Sequence, residues 1–265
     1  MNKILVVNDK IEDTKLSENI KIQTNYKEKE FEINEIKISL SKNDDLTITL
    51  DSKKYSKLVF SICLDSNVNS NIYIITKGEN YKINYKYDLN KNSNLKVFKY
   101  NSINKVNEMI EVNLNDELAN IDYTFKSISK NKESYDYRVF HNSKNTYSNF
   151  KNNSVNISGV TNIQISGNVY EESTGCICNQ NNRIINLTNN KCEIRPILYI
   201  DTDDVIANHS ALIGNFEEDE IFYLNTMGIS KLDAYNLLIR GFLMNEISEY
   251  LIKSEIEKDI NKYWR

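Results

Sequence analysis

Glycine and proline are nearly missing from this chain, at 7 and 1 in 265 residues. That scarcity excludes collagen-like sequence and Gly/Pro-rich linkers, and it removes the usual turn formers. Asparagine takes over the turning, because it enters the left-handed region more easily than other non-glycine residues. The two histidines, His141 and His209, are too few for a His-rich zinc site, and neither H-E-x-x-H nor paired C-x-x-C spacing occurs. Positive charge is not in excess. The 33 Lys+Arg stand against 37 Asp+Glu, a formal charge of −4, which argues against the basic footprint of a nucleic-acid binder. No run approaches the roughly 18 apolar residues of a membrane span. The apolar start Ile4-Leu-Val-Val7 is also too short for the core of an export signal. The expectation is a cytoplasmic protein whose thiols, Cys63, Cys176, Cys178 and Cys192, stay reduced. Gly-x-x-x-x-Gly-Lys-Ser/Thr and Gly-x-Gly-x-x-Gly are both absent, so nucleotide hydrolysis or binding by the chain itself is not expected.

What is present is ordinary globular material, 40% hydrophobic and 26% charged, enough for one sizeable core or a core with a small appendage. From about residue 32 the pattern has period two: Ile36, Ile38 and Leu40 fall on one face, the mark of a half-buried strand. The signal recurs at 46–50, 58–64, 71–75 and 81–87. Further strands are expected at 95–100, 109–114, 120–128, 135–141, 155–157, 162–170, 183–187, 197–201 and 205–213. Many short strands suggest a sandwich, a barrel or a β-solenoid. Asn-rich corners lean toward the solenoid, although no repeat of fixed length is visible.

The pattern changes near Asn215. Asn215 is positioned to cap a helix over 216–227, with Glu217, Glu218 and Asp219 in its first turn and Gly228 as its stop. Ser230-Lys-Leu-Asp233 resembles a capping box for an amphipathic helix reaching about 252, and Ile256, Ile260 and Trp264 suit a last helix from about 254.

Chemistry-bearing motifs are few. Cys176-Ile-Cys178 is the only close thiol pair, and in a strand both would point to one face about 7 Å apart. Cys63, in an apolar run, reads as a buried filler; Cys192 lies in a polar stretch. No Ser/His/Asp arrangement stands out, and the chain is not expected to be an enzyme. A polysaccharide-acting β-helix enzyme is disfavoured by the missing export signal and carboxylate cluster.

Three stretches carry a family resemblance: Val205-Ile-Ala-Asn-His209-Ser-Ala-Leu-Ile-Gly214, Glu218-Asp-Glu-Ile-Phe222-Tyr-Leu-Asn-Thr-Met-Gly228-Ile-Ser230, and Leu237-Leu-Ile-Arg-Gly-Phe242. In order and spacing they resemble the C-terminal signature of the SufB/SufD family of iron–sulfur cluster assembly proteins. His141, Ser148, Gly159, Gly167 and the run Pro196-Ile-Leu-Tyr-Ile200 resemble the family's earlier rungs. The resemblance implies a mostly β fold, a right-handed parallel β-helix with a small C-terminal α-helical domain. It divides the chain into a β-helix body over 1–214, with irregular N-terminal strands over 1–55, and a helical domain over 215–265. It further implies a non-enzymatic scaffold subunit that pairs with itself or another SufB/SufD-type subunit, docks the ABC ATPase SufC through its helical tail, and holds an iron–sulfur cluster transiently.

The same comparison names site residues. His209 is either a cluster ligand at the subunit interface or a structural histidine at the sheet-to-helix junction, with Cys176, Cys178 and Cys192 as further ligand candidates. Phe222, Tyr223 and Phe242 read mainly as packing of the tail, and they are partner-binding candidates together with Glu218, Asn225 and Lys231 on an ATPase-facing surface. His141, Gly214 and Gly228 are other family-matched positions. There are departures: Ala207 stands where SufD-like members carry Cys, Ser210 where SufB-like members carry Glu, and Asn181 or Asn182 where SufB carries its cysteine. Thiolate is the ligand iron–sulfur chemistry prefers, so these departures favour a reduced, SufD-like subunit. The alternative is a docking subunit that has lost cluster chemistry.

Overall fold

The structure, a computed structural model, describes residues 2–26, 33–245, 247 and 249–263. It is mostly β, a parallel β-solenoid of about seven turns with three C-terminal helices. Two parallel ladders run its length. One passes through β1 (Asn2–Val7), β5 (Leu46–Ser52), the first halves of β7 (Asn69–Leu89) and β8 (Asn94–Leu114), then β9 (Asn120–Ser129), β11 (Tyr147–Asn156), β13 (Cys176–Asn186) and β15 (Val205–Gly214). The other passes through β4 (Asn34–Leu40), β6 (Ser56–Leu64), the second halves of β7 and β8, β10 (Lys132–His141), β12 (Val160–Val169) and β14 (Glu193–Ile200). The short strands expected at 71–75 and 81–87, and at 95–100 and 109–114, are thus halves of two long bent strands.

The N-terminal strands are less irregular than expected. β1 and β4 join the parallel ladders, and only β2 (Lys10–Lys15) and β3 (Ile20–Asn25) pair antiparallel, beyond them. Four of the six β2 residues are charged, and both strands are mostly exposed, which blunts that end against further pairing.

Between the ladders lies a core of Ile, Leu, Val and aromatic side chains. Rings stack rung on rung: Phe60 on Tyr85 at 5.6 Å, and Tyr123 on Phe150 at 5.2 Å. Near the middle the filling turns polar. Lys99 and Glu108, both on β8, form a fully buried ion pair, and the Lys99 ammonium lies 4.1 Å from the centre of the Tyr85 ring. Glu133 is buried nearby and accepts a hydrogen bond from Ser127 at 2.9 Å.

One corner of the solenoid repeats a single conformation. Asn67, Asn92, Leu118, Asn145 and Gly175 all have positive φ, and each N–H bonds a carbonyl of the next turn. The asparagine expectation holds at three of these five positions. Leu118 is the exception, an exposed leucine at φ 60°. Its Cβ sits against the following carbonyl at a cost of about 1 kcal/mol that Asn largely avoids. Leu118→Asn is therefore expected to raise stability by about 0.5–1 kcal/mol, read as a higher urea midpoint with unchanged m-value. A lower midpoint would contradict the corner argument.

The helices α1 (Glu218–Thr226), α2 (Lys231–Met244) and α3 (Tyr250–Tyr263) belong to a second core. Ile221, Ala234, Ile239, Leu243, Ile252, Ile256 and Ile260 pack with Ile75, Tyr100, Ile128, Val155 and Ile185 from the outer side of the first ladder. Tyr100 donates to Asp259 at 2.7 Å, and Lys77 pairs with Glu255 at 2.7 Å. Local signals explain the boundaries with two corrections. Glu217, not Asn215, is the N-cap of α1, forming a reciprocal capping box with Glu220, while Asn215 accepts only from the Phe216 N–H. α2 stops at Met244 rather than near 252, because Asn245 leaves helical geometry, and the turn that follows lets Ile252, Ile256 and Ile260 reach the core. Gly228, at φ 84°, ends α1 as expected: the Ile229 N–H bonds Leu224 O and the Gly228 N–H bonds Asn225 O. Ser230 caps α2 by accepting from the Asp233 N–H. Trp264 lies outside the described residues.

Candidate functional site

The last two strands end their ladders in parallel pairing, unlike the antiparallel β2 and β3 at the other end. Among the described residues β14 and β15 have no partner beyond them, so the inward-facing residues of the final turn are half-buried or exposed. Register sets these residues in columns: Ser148–Cys178–Ala207 and Phe150–Gln180–His209. His209 thus stands at the bare end, exposed, with the buried Gln180 as its register partner. Ile213, also exposed, shares its inward face, while the exposed Tyr199, Ile206 and Leu212 point outward from the same last turn. At the opposite end β2 has four charged residues in six, whereas β15 has no Asp, Glu, Lys or Arg.

One to two rungs inward lies a buried polar cluster. His141 hydrogen-bonds Thr146 at 2.7 Å through Nδ1 and Ser148 at 2.9 Å through Nε2. Thr146 also contacts the Cys176 sulfur at 3.1 Å, and the Cys176 thiol donates to Ser143 O at 3.3 Å. Burial holds the His141 pKa down at about 4, so the ring is neutral at pH 7. His141 is thus tied into the fold by both nitrogens. Gly167 makes room for the neighbouring thiol, since a Cβ at that position would stand 2.5 Å from the Cys178 sulfur.

The structure places the four thiols in different surroundings. Cys176 and Cys178 share an apolar cluster with Val169, Leu198, Val205 and Ala207. Cys192 belongs to the main core and accepts from Asn156 Nδ2 at 3.4 Å. Cys63, expected as a buried filler, lies half-buried near Asn90, 3.9 Å from its amide. Burial raises the pKa of Cys63, Cys178 and Cys192, which holds them as thiols rather than thiolates. Among the described residues, no group of three or more His, Cys, Asp or Glu side chains is gathered closely enough to hold a metal ion. His209 is therefore the ligand candidate that faces solvent.

On the tail, Phe222 and Tyr223 do not pack into the core as the sequence suggested. They are 68% and 63% exposed, with Met227, Leu232 and Leu237 also exposed on α1 and α2. The polar candidates Glu218, Asn225 and Lys231 are exposed too. Phe242 differs: half-buried, its ring lies 5.4 Å from the Arg183 guanidinium and 5.8 Å from the Lys126 ammonium. It fastens α2 to the solenoid. Gly214, at the end of β15, has nothing within 4 Å of where a Cβ would stand. The sequence reading missed the His141–Thr146–Ser148–Cys176 network; hydroxyls at alternate strand positions were the available signal.

Glu133 offers a pH test. Burial raises its pKa to about 7. The folded state then keeps a proton that the unfolded chain releases near pH 4.5, so its stabilising contribution is lost as pH rises through about 7. Glu133→Gln is expected to stabilise by about 2 kcal/mol at pH 8 and by almost nothing at pH 4.5. Equal effects at both pH values in urea titrations would contradict this reading.

Residues 23–242 match the family described as SUF system FeS cluster assembly, SufBD core domain. Among curated proteins, a SufBD family iron–sulfur cluster assembly protein of Mycobacterium leprae is 34% identical over 92 residues, covering 34% of this chain and 24% of the relative. The iron–sulfur cluster assembly protein SufD of Bacillus subtilis is 37% identical over 75 residues, 28% of this chain and 17% of its own length. SufD of Escherichia coli is 32% identical over 68 residues, 26% and 16% respectively. The aligned stretches thus span a quarter or less of these relatives.

Proposed function

Because the chain belongs to the SufBD family of the SUF iron–sulfur cluster assembly system, we propose that it is a non-enzymatic scaffold subunit joined to its partners at two surfaces. The observation that carries this reading is the asymmetry of the solenoid. One end finishes in antiparallel strands, of which β2 has four charged residues in six, while the other finishes in parallel strands, with β15 free of Asp, Glu, Lys and Arg and His209 on its inward face. An unpaired parallel edge with exposed Ile206, Leu212 and Ile213 suits continuation by a second SufB/SufD-type β-helix. His209 then lies at the junction, able to offer an imidazole nitrogen to iron of a cluster in transit. The exposed apolar surface of α1 and α2 is the docking face for a SufC-type ATPase, and ATP-driven closure of that ATPase moves the two β-helix subunits against each other.

The second reading, a docking subunit without cluster chemistry, is favoured by Ala207 and by the burial of Cys176, Cys178 and Cys192. Anaerobic iron and sulfide reconstitution of the complex of this chain, its pairing subunit and the ATPase distinguishes the two. The scaffold reading expects iron and sulfide in the complex and a fall of about tenfold in cluster yield with His209→Ala. No iron or sulfide, with the complex intact, leaves the docking subunit.

A further inference from the structure

Lysines gather on the outer face of the second ladder, on the opposite side of those strands from the buried Glu108 and Glu133. Lys57 on β6 is opposite Lys82 on β7, Lys82 is opposite Asn107 on β8, and Asn107 is opposite Ser134 on β10. At the adjoining corner Lys105 is opposite Asn80, and Lys132 opens β10. Lys82, Lys105 and Lys132 line a groove of about 550 Å³ with Tyr55, Asn107 and Ser134. No carboxylate lines it, and every polar side chain that does is able to donate a hydrogen bond. Among the described residues, no carboxylate forms an ion pair with these three lysines. Glu79, on the same corner, instead accepts from Asn104 at 3.2 Å. Tyr55 is 53% exposed at one side, with the Lys57 ammonium 5.8 Å from its ring centre.

Three ammonium groups along one concave surface repel one another, and in a chain of net charge −4 they are a local reversal of sign. A concave wall focuses their field, so an anion seated there relieves the repulsion and gains charge-assisted hydrogen bonds. One carboxylate would answer one lysine. A chain of two or three phosphates spreads several charged oxygens over the span of all three, with Asn107 and Ser134 as neutral donors. The groove's volume is that of a small-molecule site. We propose that this groove binds a small molecule bearing a di- or triphosphate group, held by Lys82, Lys105 and Lys132. The site uses no glycine-rich loop, which is why no sequence motif announces it.

Calorimetric titration of the full chain at low ionic strength, with inorganic pyrophosphate and tripolyphosphate as probes, tests the proposal. One-site binding is expected, weakening with added salt and falling about tenfold or more in Lys105→Gln/Lys132→Gln. Lys86→Gln, on the same outer face but paired with Asp88 at 3.8 Å, is expected to bind as the parent does. All substitutions are at the surface, and unchanged melting curves verify that each variant is folded. Absence of binding by both probes, or equal binding by parent and double variant, overturns the site. Preference for an oligoglutamate peptide over both phosphates overturns the ligand class in favour of an acidic protein segment.

Discussion

Lys99→Met is expected to destabilise the protein by about 3–5 kcal/mol, whereas Lys99→Met/Glu108→Leu recovers most of that loss or exceeds the parent. Both side chains of this pair are 0% exposed. Burial drives the Lys99 pKa down and the Glu108 pKa up, against the mutual attraction that pushes each the other way. Desolvation is the larger effect on both, so the pair adds little net stability although its members touch. Removing one partner strands the other charge in a core of tyrosine rings, and removing both takes away the desolvation cost with the attraction. Denaturant titrations of the parent, both single variants and the double variant give the coupling directly. A double variant no better than the worse single would show that the pair stabilises outright.

The second large effect concerns the tail. Phe222→Asp/Tyr223→Asp is expected to weaken binding of a SufC-type ATPase by about a thousandfold, at about 2 kcal/mol or more for each buried aromatic anchor, with the melting temperature of the isolated chain unchanged. Stability is spared because both rings are already exposed. Phe242→Ala is predicted to do the reverse, lowering the melting temperature through lost contact with Arg183 and Lys126 while leaving residual binding in proportion to the folded fraction. Surface plasmon resonance together with thermal melts separates the two variants. Unchanged affinity in the Asp/Asp variant would remove α1 as the docking face.

The residues that made the fold legible, and those that hid it, differ along the chain for physical reasons. In the N-terminal half the inward positions are Ile, Leu, Val and aromatics, so period two in hydrophobicity matches the pleat and strands such as Ser56–Leu64 can be read directly. Toward the C-terminus inward positions become polar. β11 turns Ser148, Asn152, Ser154 and Asn156 inward, and β13 turns Cys176, Cys178, Gln180 and Asn182 inward. The alternation is intact but its hydrophobic contrast is lost, so only 155–157 and 183–187 were expected there. The repeat escaped notice because its length drifts. Hydrogen-bonded partners on neighbouring turns are 25 residues apart at Asp88 and Asn113, 27 at Asp122 and Asn149, and 30 at Asn152 and Asn182. The bends within β7 and β8 carry turn-type residues, Gly78-Glu-Asn80 and Asn101-Ser-Ile-Asn104, so the sequence divides what the ladder joins into one strand each. Of the candidate site, His209 at the sheet end and the α1 aromatics were visible as motif positions. Their exposure was not, since it depends on the absence of a following rung and on which face of α1 meets the core.

The most direct test of the account is anaerobic co-purification of the full chain with the SufC-type ATPase and the SufB/SufD-type subunits of its own genome, followed by size-exclusion chromatography with light scattering. A stable complex holding the ATPase and two β-helix subunits is expected, lost when Ile206 and Leu212 on the last strand are replaced by lysine. A chain that elutes alone, with neither the ATPase nor a second β-helix subunit, would contradict it.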